Sequence, residues 1–185
     1  MIYEIRWHGR AGQGIITASR LLAEAALLEG KRAQAFPEFG AERLGAPVNG
    51  FTRIADEPID IHSQIYEPDA VIVIDPSVYR IVDIKKGLKE EGILIANTKE
   101  SPEGLKRLLS LEKVRIGTID AAKIALEIFK RPIYNTTMIG AFLKAVPIVS
   151  LESVAKVTLK RFPGALGERN LEAIKRSYEE VVIVP

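Results

Sequence analysis

The pattern of apolar residues predicts strands that alternate with helices along the chain. Residues 1–7 are apolar in part at alternating positions, which predicts an opening strand. From Ile15 to Leu28 the apolar residues recur at helical spacing, and Gly30 stands where a helix commonly ends on glycine. Residues 8–14, with the sequence His-Gly-Arg-Ala-Gly-Gln-Gly, lie between the two. A strand, a glycine-rich turn and a helix form the start of a βαβ unit.

The rest of the chain continues this alternation. The run 70–74 is apolar at every position, as a central parallel strand covered on both faces requires. After Pro132 the character becomes helical. The pattern therefore predicts an α/β fold of one domain over residues 1–185, with a mostly parallel sheet, helices on both faces (Rossmann-like) and a C-terminal helical cap. Further strands are predicted at 32–36, 48–54, 59–61, 70–74, 93–96 and 114–119, with 48–54 and 59–61 forming a hairpin. Further helices are predicted at 101–109, 120–129, 133–143, 150–161 and 166–180, with a helix or turn at 78–86.

The glycine-rich turn has three interpretations that the residues leave open. A helix N-terminus presents unpaired N–H groups and a positive dipole end, so the turn can contact an anion, with Arg10 and Gln13 exposed beside it. The glycines can instead serve only close packing of the helix on the strand. A self-contained nicotinamide site is disfavoured, because the order Gly-x-x-Gly-x-Gly differs from the dinucleotide fingerprint. The second strand also lacks a ribose-binding acid at its end, because the first acidic residue after it is Glu38.

Other polar residues are ambiguous at the level of sequence. Glu42 and Arg43 stand in a long loop, residues 37–47, where they pair with each other or solvent, or where Arg43 binds an anion or meets another subunit. Asp75 follows a buried strand, at the rim where α/β sheets hold ligands, but Asp before Pro-Ser is also an ordinary helix start. His62 is predicted to be a capping or surface histidine.

Composition narrows the class of protein. A net charge of +2 and dispersed Lys and Arg indicate neither a nucleic-acid partner nor a membrane patch. No run approaches a membrane span, and no signal core opens the chain, so we expect a soluble, cytoplasmic protein. The chain contains no cysteine, which excludes disulfides, thiolate nucleophiles and cysteine-ligated clusters within it, and two histidines argue against a multi-histidine metal site. The 27% of charged residues, with few Asn, Gln and Met, is typical of a thermophile.

Three ordered motifs resemble a known family over essentially the whole chain. Residues 8–14 and the alanine-rich helix after them resemble the opening of gamma subunits of 2-oxoacid:ferredoxin oxidoreductases. Residues 39–45, Phe-Gly-Ala-Glu-Arg-Leu-Gly, are similar to that family's Tyr-Gly-x-Glu-x-Arg-Gly-Gly, with Leu44 standing where glycine is commoner. Residues 135–141, Asn-Thr-Thr-Met-Ile-Gly-Ala, are similar to its Asn-Thr-x-Met-x-Gly-Ala. Their spacing resembles the pyruvate/2-ketoisovalerate branch.

The resemblance implies a role inside a multi-subunit enzyme. That enzyme decarboxylates a 2-oxoacid such as pyruvate on thiamine diphosphate, passes electrons through iron–sulfur clusters to ferredoxin and releases an acyl-CoA. It can also run toward pyruvate synthesis. In the family, thiamine diphosphate and Mg²⁺ belong mainly to the alpha and beta subunits, and the clusters to the beta and delta subunits. The resemblance thus implies alpha, beta and delta partners, CoA as co-substrate, and no cofactor bound by this chain alone.

We expect the turn and Arg43 to contact CoA phosphates or the neighbouring subunit, and Asn135 to hold the turn and the helical cap together. No catalytic or metal-binding residue is predicted in this chain. The alternatives are a stand-alone nucleotide-binding α/β protein and a purely structural subunit. The candidate binding residues are Gly9, Arg10, Gly12, Gln13, Gly14, Glu42, Arg43, Asn135 and Thr136.

Overall fold

The computed structural model describes residues 1–38 and 43–185. Within them, strands and helices alternate largely as the apolar pattern predicts. The seven strands are β1 (Ile2–Arg10), β2 (Arg32–Pro37), β3 (Pro47–Ala55), β4 (Ala70–Val73), β5 (Ile93–Asn97), β6 (Arg115–Ile119) and β7 (Val182–Val184). The six α-helices are α1 (Ile15–Leu28), α2 (Pro102–Leu108), α3 (Ala121–Phe129), α4 (Thr137–Ala145), α5 (Leu151–Arg161) and α6 (Ala165–Glu180), and a 3₁₀ helix spans Pro76–Arg80.

The strands form one mixed sheet in the order β2-β3-β1-β4-β5-β6-β7. The centre is parallel, because β1, β4, β5 and β6 pair in parallel with one another in that order. β3 is antiparallel to both β1 and β2, and β7 is antiparallel to β6. β2 therefore runs in the direction of β1, with β3 inserted between them, so the first βαβ unit is split. The predicted α/β fold with a mostly parallel sheet is confirmed.

Helices cover both faces of this sheet. α1, α3, α4, α5 and α6 pack on one face, where Trp7, Ile72 and Phe142 are fully buried. The 3₁₀ helix and α2 pack on the other face, where Val73 and Leu105 are fully buried. The strand β4 is apolar throughout because both of its faces lie under helices.

Capping residues explain where several helices begin. Ser101 accepts a hydrogen bond from the backbone N–H of Gly104 at 3.1 Å, and Pro102 occupies the first helical position of α2. Asp120 caps α3 in the same way, through the N–H of Lys123 at 2.9 Å. Ser150 caps α5. These starts agree with the sequence prediction.

Two predicted elements and the end of the opening strand differ from the structure, and one strand is not predicted. The opening strand, predicted over residues 1–7, continues to Arg10, so residues 8–10 of the predicted turn belong to β1. Residues 59–61 form no strand, because β1 and β2 already occupy both edges of β3. The helix or turn predicted around 78–86 is confirmed as a 3₁₀ helix at Pro76–Arg80 followed by turns. The helix predicted at 133–143 begins at Thr137, because residues 133–136 lead the chain back to the turn that follows β1. The strand β7 is absent from the sequence prediction, since three residues give too short an alternation to recognise.

The C-terminal helices make the predicted helical cap. Helices α4 and α6 cross closely at Gly140, where a β-carbon would collide with the carbonyl oxygen of Ile174 and the hydroxyl of Ser177. Ser177 donates a hydrogen bond to the carbonyl oxygen of Thr137, which fixes the same crossing. Within the described ranges, none of the helices combines the length and hydropathy that crossing a bilayer requires.

Candidate functional site

The glycine-rich turn lies where two neighbouring parallel strands, β1 and β4, lead to opposite faces of the sheet. The chain leaves β1 toward α1 on one face, and it leaves the neighbouring parallel strand β4 toward the 3₁₀ helix on the other face. The N–H of Ile74 donates to the carbonyl oxygen of His8 at 2.8 Å, so the two departing segments start side by side. Open α/β sheets form a ligand-binding crevice at such a switch point, outside the carboxyl ends of the strands. The turn therefore lies at the edge of the sheet where folds of this kind bind ligands.

Two glycines in the turn are required by the backbone. Gly12 and Gly14 have φ angles of +92° and +76°, which favour residues without a β-carbon. A β-carbon at Gly12 would lie 2.9 Å from Cδ1 of Leu44, and one at Gly14 would collide with the side-chain amide of Asn135. Gly14 also precedes α1 without a side-chain cap, so the first-turn N–H groups of that helix have no partner within it.

Arg10 is held by three groups from distant parts of the chain. Its Nε donates to Oγ of Ser77 at 2.9 Å, and its Nη1 donates to the carbonyl oxygen of Gly45 at 2.8 Å. Its Nε also lies 3.6 Å from a carboxylate oxygen of Asp75. We expected Arg10 to be exposed, but 27% of its side chain is accessible. The guanidinium is therefore fixed in place beside the glycine-rich turn rather than mobile in solvent.

Gln13 bridges the turn to the strand beside it. Its Oε1 accepts a hydrogen bond from the backbone N–H of Arg10 at 2.8 Å, and its Nε2 donates to Asp75 at 2.6 Å. The side chain is thus engaged within the protein, and the expectation that it is exposed is wrong. Gly9 faces the same amide, because a β-carbon there would lie 3.1 Å from Oε1 of Gln13. Gln13 shapes the turn through both of its polar atoms.

Asp75 caps the 3₁₀ helix and also faces the turn. Its Oδ1 accepts from the N–H of Ser77 at 2.9 Å, which confirms the helix-start interpretation. Burial raises the pKa of the Asp75 carboxyl, but hydrogen bonds from Ser77 and Gln13 and the charge of Arg10 outweigh it and hold the pKa below its usual value. Asp75 is therefore a carboxylate at neutral pH. Burial, and then the negative charge of Asp75, raise the pKa of Tyr134.

The turn at residues 43–46 packs against the glycine-rich turn. The N–H of Ala11 donates to the carbonyl oxygen of Ala46 at 2.9 Å, and the N–H of Gly45 donates to the carbonyl oxygen of Ala11 at 3.2 Å. Arg43 is exposed here, and Leu44 is 91% exposed although its Cδ1 lies close to the place where a β-carbon on Gly12 would stand. The structure thus brings two of the sequence motifs together. Glu42, the other candidate in this loop, lies outside the described residues.

The third motif reaches the turn through one side chain. Nδ2 of Asn135 donates to the carbonyl oxygen of Gly14 at 3.0 Å, and Asn135 is 7% exposed. This contact confirms that Asn135 links the turn to the C-terminal helices. Thr136 does not take part, because it is buried and its hydroxyl pairs with Oδ1 of Asn170 on α6 at 2.6 Å. Thr136 therefore fixes α4 against α6 rather than facing a ligand.

Neither histidine is placed for acid–base chemistry at this site. Burial, and then the charge of Arg6, lower the pKa of His8 to about 3. Nε2 of His8 lies 3.0 Å from Nε of Arg6, which donates to it, so the imidazole is neutral. His62 is exposed on the segment after β3, as expected of a surface histidine. In the described part of the chain, no three His, Asp or Glu side chains are grouped as metal ligands.

Sequence reasoning missed two contributors to the site, namely Ser77 and Gly45. Ser77 and Gly45 hold Arg10 from positions 67 and 35 residues away in the sequence. No local pattern carries such pairings. The one available signal was Asp75-Pro76-Ser77 directly after a buried strand, which marks the carboxyl edge of the sheet.

Comparisons with a family model and with individual proteins agree on one family. The model of the family described as pyruvate ferredoxin/flavodoxin oxidoreductase matches residues 4–180. The chain is 51% identical over 180 residues to the pyruvate/ketoisovalerate oxidoreductases common subunit gamma of Thermococcus litoralis, covering 97% of each chain. It is 48% identical over 178 residues to pyruvate synthase subunit PorC of Methanothermobacter marburgensis, covering 96% of this chain and 97% of the relative.

A solved structure agrees with these sequence matches. The crystal structure of pyruvate oxidoreductase subunit PORC from Thermotoga maritima superposes on this chain with a TM-score of 0.88 at 44% identity. The match covers 100% of this chain and 99% of the solved one. The chain therefore belongs to the pyruvate ferredoxin/flavodoxin oxidoreductase family.

Proposed function

We propose that this chain is the gamma subunit of a pyruvate or 2-ketoisovalerate:ferredoxin oxidoreductase and that its glycine-rich turn helps to bind CoA. The complete enzyme converts a 2-oxoacid, CoA and oxidised ferredoxin into acyl-CoA, CO₂ and reduced ferredoxin. The observation that carries the proposal is the position of the turn at the switch point, with the Arg10 cation fixed beside it. CoA is the phosphate-bearing substrate of this reaction, and a helix N-terminus with an arginine favours phosphate.

Each element of the site has a defined part in this proposal. Arg10 supplies a positive charge whose side chain is already immobilised, so binding an anion orders it little further. Arg43 is exposed on the adjoining turn and supplies a second cation. Asn135 ties Gly14 to α4 and keeps the turn in one conformation.

The chemistry of decarboxylation and electron transfer belongs to partner subunits in this proposal. The partners are the alpha, beta and delta subunits, which hold thiamine diphosphate, Mg²⁺ and iron–sulfur clusters, and ferredoxin receives the electrons from the complex. Thiamine diphosphate supplies the site at which the 2-oxoacid loses CO₂. This chain has no cysteine to ligate a cluster, in agreement with that division. The cytoplasm is the proposed location of the complex.

Substitution of the two arginines tests the CoA role. In the reconstituted complex, Arg10→Ala or Arg43→Ala should raise the KM for CoA about tenfold, the effect of losing one charge-assisted contact. The KM for the 2-oxoacid should stay unchanged. Arg107→Ala, an exposed arginine on α2, serves as the control. Pantetheine, which has no phosphate, should react equally well with wild type and variants as the acyl acceptor. An unchanged KM for CoA in an intact complex refutes the proposal.

A purely structural role is the second candidate. It is favoured by the fact that Arg10, Gln13 and Asn135 all hydrogen-bond within the chain. In that case the variants leave the KM for CoA unchanged, while changes in residues 39–45 release the partner subunits. Size-exclusion chromatography of the same variants separates the two functions.

A further inference from the structure

We propose that Asp75 is a positioning residue of the CoA site: it holds Arg10 and Gln13 in the arrangement that receives an anion, without contacting the anion itself. This inference rests on the function proposed above and assigns a role that no sequence motif of the chain contains. Asp75 acts through its neighbours, so its loss should alter CoA recognition and leave the reaction of bound substrates intact.

Four residues form a closed ring of hydrogen bonds beside the glycine-rich turn, through side chains and the backbone N–H groups of Arg10 and Ser77. Oδ2 of Asp75 accepts from Gln13 at 2.6 Å, and Oε1 of Gln13 accepts from the backbone N–H of Arg10 at 2.8 Å. Nε of Arg10 donates to Ser77 at 2.9 Å and lies 3.6 Å from Oδ2 of Asp75. The N–H of Ser77 donates to Oδ1 of Asp75 at 2.9 Å and closes the ring. Both carboxylate oxygens of Asp75 are thus occupied.

A comparison with Asp120 separates positioning from capping. Asp120 also follows a strand of the parallel sheet, and it caps the next helix through the N–H of Lys123 at 2.9 Å. Across the described residues, that is the one hydrogen bond which the Asp120 carboxylate accepts. Asp75 makes the equivalent bond with Oδ1 but directs Oδ2 at the glycine-rich turn. A cap alone explains Oδ1 and leaves the contacts of Oδ2 unexplained.

The charge of Asp75 suits it to hold Arg10 and not to bind the ligand. Its side chain is 15% exposed, and its negative charge repels any phosphate that comes close. The same charge attracts the Arg10 guanidinium, whose Nε donates to Ser77 and whose Nη1 donates to the carbonyl oxygen of Gly45. Immobilising a long side chain before binding removes an entropic penalty from the binding step.

An exchange of two side chains tests the ring directly in the reconstituted complex. Asp75→Asn retains the cap, since asparagine is an equally good cap, but it sets an amide nitrogen against the amide nitrogen of Gln13. We expect its KM for CoA to rise about three- to tenfold, with kcat and the KM for the 2-oxoacid unchanged. The double variant Gln13→Glu with Asp75→Asn restores both hydrogen bonds and the net charge of the pair. Its KM for CoA should return to within about twofold of wild type.

Three controls make the outcomes distinct. Asp120→Asn changes an equivalent cap away from the turn and should leave the KM for CoA unchanged. If Arg10→Ala raises the KM for CoA and Asp75→Asn does not, the positioning role is refuted and the proposed function stands. If Arg10→Ala itself has no effect, the proposed function fails. Should Asp75→Asn fail to assemble, the exchange variant is compared with Gln13→Glu alone, and a lack of rescue there also refutes the role of Asp75.

Discussion

The contact between Gly14 and Asn135 predicts a specific pattern of stability changes. Gly14 has a φ of +76°, and a β-carbon there would collide with the buried amide of Asn135. Gly30 has a nearly identical φ of +77° but no atom within 4 Å of the place where a β-carbon would stand. Gly30→Ala therefore measures the backbone strain alone, and Gly14→Ala measures the same strain together with the collision.

The magnitudes follow from these two differences. An alanine held in the left-handed region loses about 1 kcal/mol relative to glycine, which is the expected destabilisation for Gly30→Ala. In Gly14→Ala the Asn135 amide must also move away and give up its 3.0 Å hydrogen bond to the Gly14 carbonyl. Loss of that bond adds about 1–2 kcal/mol, so we expect about 2–3 kcal/mol in total. Each kcal/mol corresponds to about 2–4 °C in Tm for a domain of this size.

Urea unfolding of the purified chain, followed by circular dichroism, measures these free energies. The variants needed are Gly14→Ala, Gly30→Ala, Asn135→Ala and the double variant Gly14→Ala with Asn135→Ala. In the double variant the collision is absent, so its destabilisation should fall short of the sum of the two single changes by about 1 kcal/mol or more. Additive effects, or equal effects of Gly14→Ala and Gly30→Ala, would refute the contact between Asn135 and the turn.

Two further predictions concern the cap and the buried histidine. Gly140→Ala should destabilise the chain by about 3 kcal/mol or more in the same urea assay, because the new β-carbon collides with the backbone oxygen of Ile174 and forces α4 away from α6. A destabilisation below about 1 kcal/mol would contradict the close crossing of the two helices. The free energy of unfolding should fall as the pH drops from about 6.5 toward 3. In the folded chain, burial and Arg6 lower the pKa of His8 to about 3, whereas in the unfolded chain the same histidine takes up a proton near its ordinary pKa of about 6.5. His8→Gln removes this contribution, so its stability should vary less over that range, and an equal pH dependence of the two proteins would show that His8 is accessible to protons.

Local patterns were sufficient to predict most elements of the fold. The all-apolar run at β4 indicated a strand buried on both faces, and Ser101 with Pro102 marked the start of α2. The alternation of strands with helices then predicted a mostly parallel sheet. The position of β3 within the sheet could not be predicted in this way. An alternating pattern shows that one face of a strand is buried, but it does not show which strands lie beside it. Its place between β1 and β2 follows from long-range pairing.

The candidate site was predictable in position but not in its contacts. The glycine-rich turn and the carboxyl end of β4 could be located from the sequence, because both follow recognisable strands. The partners of Arg10 and Gln13 could not, since Ser77 and Asp75 lie more than 60 residues away along the chain. For this reason both side chains were predicted to be exposed, although they are engaged in the ring. Thr136 belongs with Asn135 to the third motif, yet the two side chains contact different neighbours.

Co-expression of this chain with its proposed partner subunits tests the central claim most directly. The measurement is affinity purification of the tagged chain, followed by pyruvate- and CoA-dependent reduction of methyl viologen with and without it. We predict that subunits carrying iron–sulfur clusters co-purify and that CoA-dependent reduction requires this chain. If the chain purifies alone, and the remaining subunits reduce methyl viologen with the same CoA dependence in its absence, the proposed function is wrong.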